Sequence, residues 1–273
     1  MVIEIISITD MTIKRIVSFL PSATELLYEL GVENDLYGVT HECKYPKDAL
    51  TKRRVINSII NSDELTSKEI DTLTCQLINE KKDIFVLDEK KLKFANPDLI
   101  ISQETCKVCA AYTNQVERAL KILKNKPQIY SMNPHNIQEI LNSVKELGKI
   151  LKKENKAEQI VNSLEQRIKK IRREQNIKSL NVLAIEWIEP FFTAGHWIPE
   201  MIKIAGGVNM IGRTGEQSKR LDFDKIIESD PDIIILMPCG FDLKRTITEY
   251  NNTLEKNKKW YTLRAVINNR VCS

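Results

Sequence analysis

The chain has 273 residues, of which 42% are hydrophobic and 29% are charged, and its formal net charge is +4. A chain of this length and balance buries the core of one large or two modest domains, so extended disorder and collagen-like structure are excluded. No apolar run reaches the roughly 18 to 20 residues of a membrane-spanning helix, and we expect no membrane span.

The first part of the chain predicts strands and helices in alternation. We predict strands at "RIVSF" and "LYGVT" and helices at "SATELLYELG" and 63–82. Ser22 and Glu25 have the spacing of a capping box at the start of the first helix. Thr66 and Glu69 have the same spacing in the second helix.

The alternation continues to the end of the chain. Further strands are predicted at "PDLIIS", "PQIYSM", "NVLAIEW" and "PDIIILM", and further helices at 112–124, "PEMIKIAGG" and "DFDKIIESD". Residues 136–177 have sustained helical periodicity with a break near 152–155, which predicts two consecutive helices.

The positive charge is concentrated in this helical segment. Residues 136–178 contain eleven Lys or Arg and six Glu, so the rest of the chain is close to neutral. No aromatic residue is interleaved for base stacking, and a solvated helix face explains the charge. We expect no nucleic-acid partner.

Two stretches of the chain resemble each other. "NPDLIISQETC" and "DPDIIILMPCG" align with Pro97 on Pro231, and each runs from Pro-Asp through an apolar strand to a cysteine. The repeat predicts an α/β protein of two related lobes, with domains at 1–135, 136–177 and 178–273, the middle one helical.

Polar and aromatic side chains follow the predicted strands, where ligands bind in open α/β sheets. They are His41, Glu42, Cys43, Cys106, Cys109, Glu186, Trp187, His196, Trp197 and Cys239. His135, in "NPHN" ahead of a helix, is expected to be a turn or capping residue. No nucleophile–base pair is secured by spacing, so no reaction is predicted.

The four cysteines Cys43, Cys106, Cys109 and Cys239 leave three interpretations open. They are ligands of a zinc ion or an iron–sulfur cluster, which thiolates suit. Alternatively, Cys109 is redox-active near a helix N-terminus, which favours its thiolate. Otherwise they pack as small apolar residues, as we expect for Cys75 and Cys272.

The N-terminal stretch lacks the basic region and continuous apolar run of a secretory signal, since Glu4 and Asp10 interrupt it. We therefore expect a cytoplasmic protein without signal peptide or lipid anchor, whose six cysteines are mostly reduced.

Five stretches together resemble the cobalamin-binding, periplasmic-binding-protein-like family of ABC-importer substrate-binding proteins for vitamin B12 and siderophores. They are "RIVSFLPSATELLYELG", "GVTHECKYP", "PDLIISQETCKVCA", "EWIEPFFTAGHWIPEMIKIAGG" and "DPDIIILMPCGFD". The resemblance implies two Rossmann-like lobes bridged by a long helix at 154–177, with the ligand in the cleft between them. By position it implies that Trp187, Trp197 and Tyr45 contact the ligand.

The resemblance also raises expectations that this chain does not meet. Family members dock on a permease through an acidic residue on each lobe, and the equivalent positions here are Asp224 and Lys90, so docking on both lobes is in doubt. The family continues past the position of Ser273, so we expect an incomplete C-terminal lobe.

Two hypotheses follow. In the first, the protein binds a corrinoid such as cobalamin, or a related metal chelate, with His41 or His196 as a candidate axial ligand of the metal. In the second, an intracellular protein of the same fold holds a zinc ion or iron–sulfur cluster on the four cysteines for an enzymatic or sensing role.

Overall fold

The computed structural model describes residues 13–104, 111–173 and 179–273. Within these residues the chain forms two six-stranded sheets, one in an N-terminal lobe and one in a C-terminal lobe. The two-lobed α/β fold expected from the sequence is therefore confirmed. None of the helices in the described part of the chain combines the length and apolar character that a membrane crossing requires.

The N-terminal sheet has the strand order β4-β3-β2-β1-β5-β6, and only β4 is antiparallel to its neighbour. Its strands are β1 (Ile16–Ser18), β2 (Leu36–Thr40), β3 (Arg54–Ser58), β4 (Phe85–Leu87), β5 (Leu99–Gln103) and β6 (Gln128–Met132). Its helices are α1 (Pro21–Glu29), α2 (Ser67–Asn79), α3 (Glu89–Ala95) and α4 (Ala111–Ile122).

Both faces of this sheet are buried. In β5, Leu99 and Ile101 belong to one core cluster and Ile100 to another, as the two-residue period of a strand requires. Burial on both faces explains why the central strands are continuous apolar runs in the sequence.

The helical segment consists of α5 (Ile137–Ile150) and α6 (Glu154–Arg173). The first turns of α6 pack into the N-terminal core through Ala157 and Val161. Helix α6 also contacts α7 (Ile198–Ile204) of the other lobe. A helix that contacts both lobes agrees with the predicted bridge, of which residues 174–177 lie outside the described residues.

The C-terminal sheet has the order β10-β8-β7-β11-β12, with β9 also paired to β7. Its strands are β7 (Asn181–Ile188), β8 (Phe191–Thr193), β9 (Val208–Asn209), β10 (Arg220–Leu221), β11 (Ile233–Leu236) and β12 (Val271–Cys272). Besides α7, its helices are α8 (Phe223–Ser229), α9 (Leu243–Thr253) and α10 (Arg264–Ile267).

The internal repeat is present in three dimensions. Helices α3 and α8 both end at a left-handed residue, Asn96 with φ 38° and Asp230 with φ 35°. The aspartates that follow, Asp98 and Asp232, both accept a backbone N–H from a neighbouring segment through their carboxylates, over 3.0 Å and 2.9 Å. The same turn therefore leads into an equivalent strand of each lobe.

One of the two predicted capping boxes forms. Thr66 accepts a hydrogen bond from the Glu69 backbone and Glu69 returns one, as predicted. The prediction for Ser22 is wrong, because α1 begins one residue earlier at Pro21 and Leu20 is its N-cap. Proline suits the first helical position because its missing N–H would have no partner there.

Candidate functional site

The lobes meet where the loops at their strand ends face each other. His135 follows β6 in the N-terminal lobe and His196 follows β8 in the C-terminal lobe, and their ring centroids are 6.3 Å apart. Beside them, the Glu200 carboxylate of α7 accepts the Ile137 backbone N–H at the start of α5, over 2.9 Å. We call this contact the histidine seam, formed by His135, His196, Trp197 and Glu200.

The backbone on both sides holds His196 in place. Its φ of 52° lies in the left-handed region, where histidine is more common than most residues. Its N–H donates to the Glu216 carbonyl over 2.7 Å, and its carbonyl accepts from Gly215 N–H over 2.8 Å. The Trp197 ring lies 5.9 Å from the His196 ring, so the same loop carries both to the seam.

Glu186, at the end of β7, lies beneath this loop. Its carboxylate accepts the Gly195 N–H over 3.2 Å and the Ser218 hydroxyl in a short hydrogen bond. Both carboxylate oxygens therefore already have partners. Glu186 positions the loop and places a negative charge near His196.

Burial lowers the pKa of His196, and the proximity of His135 lowers it further, while Glu186 acts in the opposite direction. The imidazole is therefore neutral at pH 7, with a nitrogen lone pair available as a ligand. The Nδ1 atoms of His135 and His196 are both buried and have no hydrogen-bond partner among the described residues.

Trp187 makes a second contact between the lobes. Its indole N–H donates to the Ser67 carbonyl over 3.1 Å, and its ring packs against Phe241 with centroids 5.1 Å apart. In this conformation Trp187 therefore joins the lobes, although the sequence predicted it as a ligand contact.

Helix α9 of the C-terminal lobe also contacts the start of α2, beside the Trp187–Ser67 hydrogen bond. The Glu249 carboxylate, only 4% exposed, accepts both the backbone N–H of Ser67 over 3.2 Å and its hydroxyl over 2.7 Å. The Arg245 guanidinium donates two short hydrogen bonds to the carbonyls of Ser62 and Leu65. We call this set, with Trp187, the α2 clamp.

His41, Glu42, Cys43 and Tyr45 all follow β2, as predicted, but they lie apart from the histidine seam. Strands β1 and β5 separate β2 from β6, and three strand spacings amount to roughly 14 Å. Burial lowers the pKa of His41, with Glu42 opposing, and the His41 ring is 5.9 Å from Phe85. Tyr45 is 66% exposed.

Cys43 lies in the core of the N-terminal lobe. It is 3% exposed, and its sulfur is 3.1 Å from the Thr24 hydroxyl and 3.3 Å from that of Thr40. These contacts are those of a packed thiol, and they favour the apolar interpretation over metal ligation for this cysteine.

The other predicted metal ligands are less fully described. Cys239 is exposed, and its N–H donates to the Glu186 carbonyl over 3.2 Å. Cys106 and Cys109 lie outside the described residues. Within the described ranges, no group of three or more His, Cys, Asp and Glu side chains has the arrangement of a metal site. A zinc or iron–sulfur site on the cysteines therefore stays a prediction.

The two predicted docking positions are equivalent in the fold. Lys90 and Asp224 are each the second residue of their helix, after the capping residues Asp88 and Asp222. Both are exposed, and the Asp224 carboxylate accepts a hydrogen bond from Lys259 over 3.1 Å. The equivalent surface position is therefore positive in the N-terminal lobe (Lys90) and negative in the C-terminal lobe (Asp224). Docking to a permease stays a prediction.

His135 is the residue that the sequence reasoning assigned to a turn. Asn136 caps α5 instead, accepting the Glu139 N–H over 2.9 Å, while the His135 ring faces the other lobe. Its position three residues after the end of "PQIYSM" was the available signal, since the same strand-exit rule selected His41 and His196.

Comparison with known proteins places the chain in a family. The periplasmic binding protein family model matches residues 16–273. The chain is 24% identical to the uncharacterized ABC transporter substrate-binding lipoprotein YvrC of Bacillus subtilis, over 96% of this chain and 74% of that protein. It is also 24% identical to the vitamin B12-binding protein of Vibrio cholerae, over 81% of this chain and 69% of that protein.

Solved structures agree in fold. The periplasmic vitamin B12 binding protein BtuF of Vibrio cholerae superposes with a TM-score of 0.67 at 20% identity, covering 96% of this chain and 87% of that one. Staphylococcus aureus IsdE complexed with heme gives 0.67 at 18% identity, covering 94% and 88%. The chain therefore belongs to the periplasmic binding protein family, among the class III substrate-binding proteins of ABC importers.

Proposed function

We propose that this substrate-binding protein holds a metal tetrapyrrole, with a cobalt corrinoid as the first candidate, between its two lobes at the histidine seam. The observation that carries the proposal is that each lobe brings a histidine-bearing strand-end loop to this seam, with Trp197 beside them. Because both lobes supply residues to the histidine seam, a ligand bound there contacts both lobes.

The chemistry of the seam suits this ligand class. A large flat macrocycle presents apolar faces to an aromatic ring such as Trp197, and few polar groups are needed to orient it. Its metal brings its own equatorial ligands, so the protein has only to supply an axial nitrogen, which neutral His196 offers.

The relatives support a metal tetrapyrrole as the ligand but do not distinguish a corrinoid from heme. The Vibrio cholerae relative is named a vitamin B12-binding protein, and the Staphylococcus aureus structure is a complex with heme. Both ligands are planar macrocycles around a metal. The preference for a corrinoid therefore rests on the sequence resemblance. Heme is the alternative ligand, and separate titrations with the two macrocycles distinguish it from a corrinoid.

Titration of the purified, metal-free protein with aquocobalamin and, separately, with hemin tests the proposal. We expect saturable binding of one macrocycle per chain, with a changed absorption spectrum where an imidazole enters the axial position. Trp197→Ala should weaken binding about tenfold, because a macrocycle face loses its aromatic contact. Tyr261→Ala, at an exposed residue of the C-terminal lobe outside the histidine seam, is the matched control. Failure of both macrocycles to bind would refute the proposal.

A further inference from the structure

Helix α2 belongs to the N-terminal lobe by its place in the chain, but it is not packed into the core of that lobe. Of its 13 residues only Ser67 is buried, while Leu73 and Ile78 are exposed. None of its side chains belongs to the hydrophobic clusters that the described residues form. A helix usually gains most of its stability by packing an apolar face against a sheet, and among the described residues α2 lacks that packing.

Polar contacts with the C-terminal lobe hold α2 instead. Beyond the α2 clamp at its first residue, the Arg220 guanidinium of β10 donates to both carboxylate oxygens of Asp71 over 2.9 Å. The same guanidinium donates to the Cys75 sulfur over 3.3 Å. The Lys68 ammonium lies 3.4 Å from the Glu189 carboxylate. Contacts with the other lobe therefore follow α2 from its first residue to Cys75.

We propose that α2 is a latch helix, which docks on the C-terminal lobe when the lobes are together and undocks while both lobe cores stay folded. Local opening needs least free energy in elements that have few buried apolar contacts, and α2 is such an element. In a rigid closure of two lobes, α2 would instead stay as protected as the sheet of its own lobe. The inference goes beyond the proposed function, because α2 undocks without any ligand.

The latch reaches the strands beside the histidine seam. Strand β8, whose exit carries His196, pairs with β7 on one side and with β10 on the other. Docked α2 contacts both neighbours, through Trp187 of β7 and Arg220 of β10. Undocking therefore removes contacts on both sides of the strand that leads to the seam, and we expect it to ease ligand entry there.

The contacts of the latch differ in their exposure to solvent. The Glu249 carboxylate of the clamp is buried, whereas the Arg220 side chain is 53% exposed and its Asp71 partner is 18% exposed. Water and salt screen an exposed pair, so the Arg220 contact is the weaker of the two. We expect loss of Glu249 to undock α2 more than loss of Arg220 does, and loss of Arg220 to leave the lobe cores intact.

Hydrogen–deuterium exchange of the ligand-free protein, read by mass spectrometry, tests the latch. In the wild type we expect α2 amides to exchange about tenfold faster than those of the buried strand β5. Arg220→Gln should speed exchange in α2 by a further factor of about three and leave β5 unchanged. Glu249→Gln should speed exchange in α2 more. Arg264→Gln is the matched control, because it removes a similarly exposed pair, with Asp230 over 2.7 Å, inside the C-terminal lobe.

Two results would overturn the latch. One is exchange of α2 in step with β5 in the wild type, and the other is α2 exchange in Arg220→Gln no faster than in Arg264→Gln. Circular dichroism establishes that each variant is folded.

The effect on ligand entry rests on the proposed function and has its own measurement. In stopped-flow mixing with aquocobalamin or hemin, Arg220→Gln should speed association about threefold, while Arg264→Gln should match the wild type. Equal association rates in the two variants would show that α2 does not control entry. Failure of both macrocycles to bind would refute the proposed function alone, because deuterium exchange is measured without ligand.

Discussion

Protonation of a single side chain, that of His41, makes the stability of the protein depend on pH. Burial lowers its pKa below the ordinary value near 6.5, so near pH 6 the folded protein binds fewer protons at this position than the unfolded chain does. The stability that neutral His41 contributes is complete above about pH 6.5 and is lost as the pH falls below it.

We therefore expect His41→Asn to lose less free energy of unfolding than the wild type when the pH is lowered from about 7.5 to 5.5. Denaturant unfolding at a series of pH values measures this difference. Carboxylates contribute equally to both proteins, so equal pH dependence in the two would contradict the assignment.

Gly195 is required by close packing of the loop that carries His196. A Cβ there would lie 2.6 Å from the Ser218 nitrogen and 2.7 Å from the Glu216 carbonyl oxygen, both backbone atoms. Gly195→Ala should therefore lower the melting temperature and also weaken macrocycle binding.

Gly148→Ala is the control for Gly195→Ala. Its Cβ would meet Ala157 at 2.4 Å between α5 and α6, away from the seam. It should lower stability and leave ligand affinity unchanged. If Gly195→Ala affects binding no more than Gly148→Ala does, the loop does not position the site.

Cys43 offers a test that separates packing from metal ligation. Its sulfur lies between the hydroxyls of Thr24 and Thr40 in the N-terminal core. Cys43→Ala should cost about 1–2 kcal/mol of unfolding free energy through lost packing and leave bound zinc unchanged in elemental analysis. Loss of bound metal without loss of stability would favour the ligand role.

At the scale of elements, the α2 clamp joins a helix start to the opposite lobe. Glu249 receives the N–H and hydroxyl of Ser67 at the positive end of the 13-residue helix α2. Glu249→Ala leaves these buried donors without their acceptor, which should cost about 1–3 kcal/mol. Glu228→Ala, at an exposed residue of α8, is the control, and thermal unfolding measures both. Equal melting temperatures for the two variants would show that the clamp contributes nothing.

The elements that the sequence predicted are those with a strong periodic or apolar signal. Strands β5 and β7 are buried apolar runs, and α5 has a regular helical stripe, so local pattern identifies them. Strand β3 and helices α3 and α9 were not predicted. Strands β4 and β8 were also missed, because three residues do not establish a period. Their positions depend on pairing with β3 and β7, which is a tertiary effect.

At the scale of the whole molecule, the strand-exit rule predicted half of the seam. It selected His196 and Trp197 as the loop after the predicted strand "NVLAIEW", on the rule that ligands bind at the carboxyl ends of parallel strands. In the structure both residues follow β8, which is antiparallel to β7, so the rule does not by itself explain their position. It was not applied to His135, which was assigned to a turn although it also follows a predicted strand. That its loop faces the His196 loop, 61 positions along the chain, depends on how the lobes dock. For the same reason Trp187 was predicted as a cleft wall and is found in the clamp between lobes.

The central claim is that a metal tetrapyrrole binds between the lobes at the histidine seam. A crystal structure of the protein saturated with aquocobalamin, or with hemin if only hemin binds, tests it most directly. We predict density for the macrocycle between the loops of His135 and His196, with Trp197 against it. Density confined to one lobe, or a bound macrocycle elsewhere on the surface, would contradict the claim.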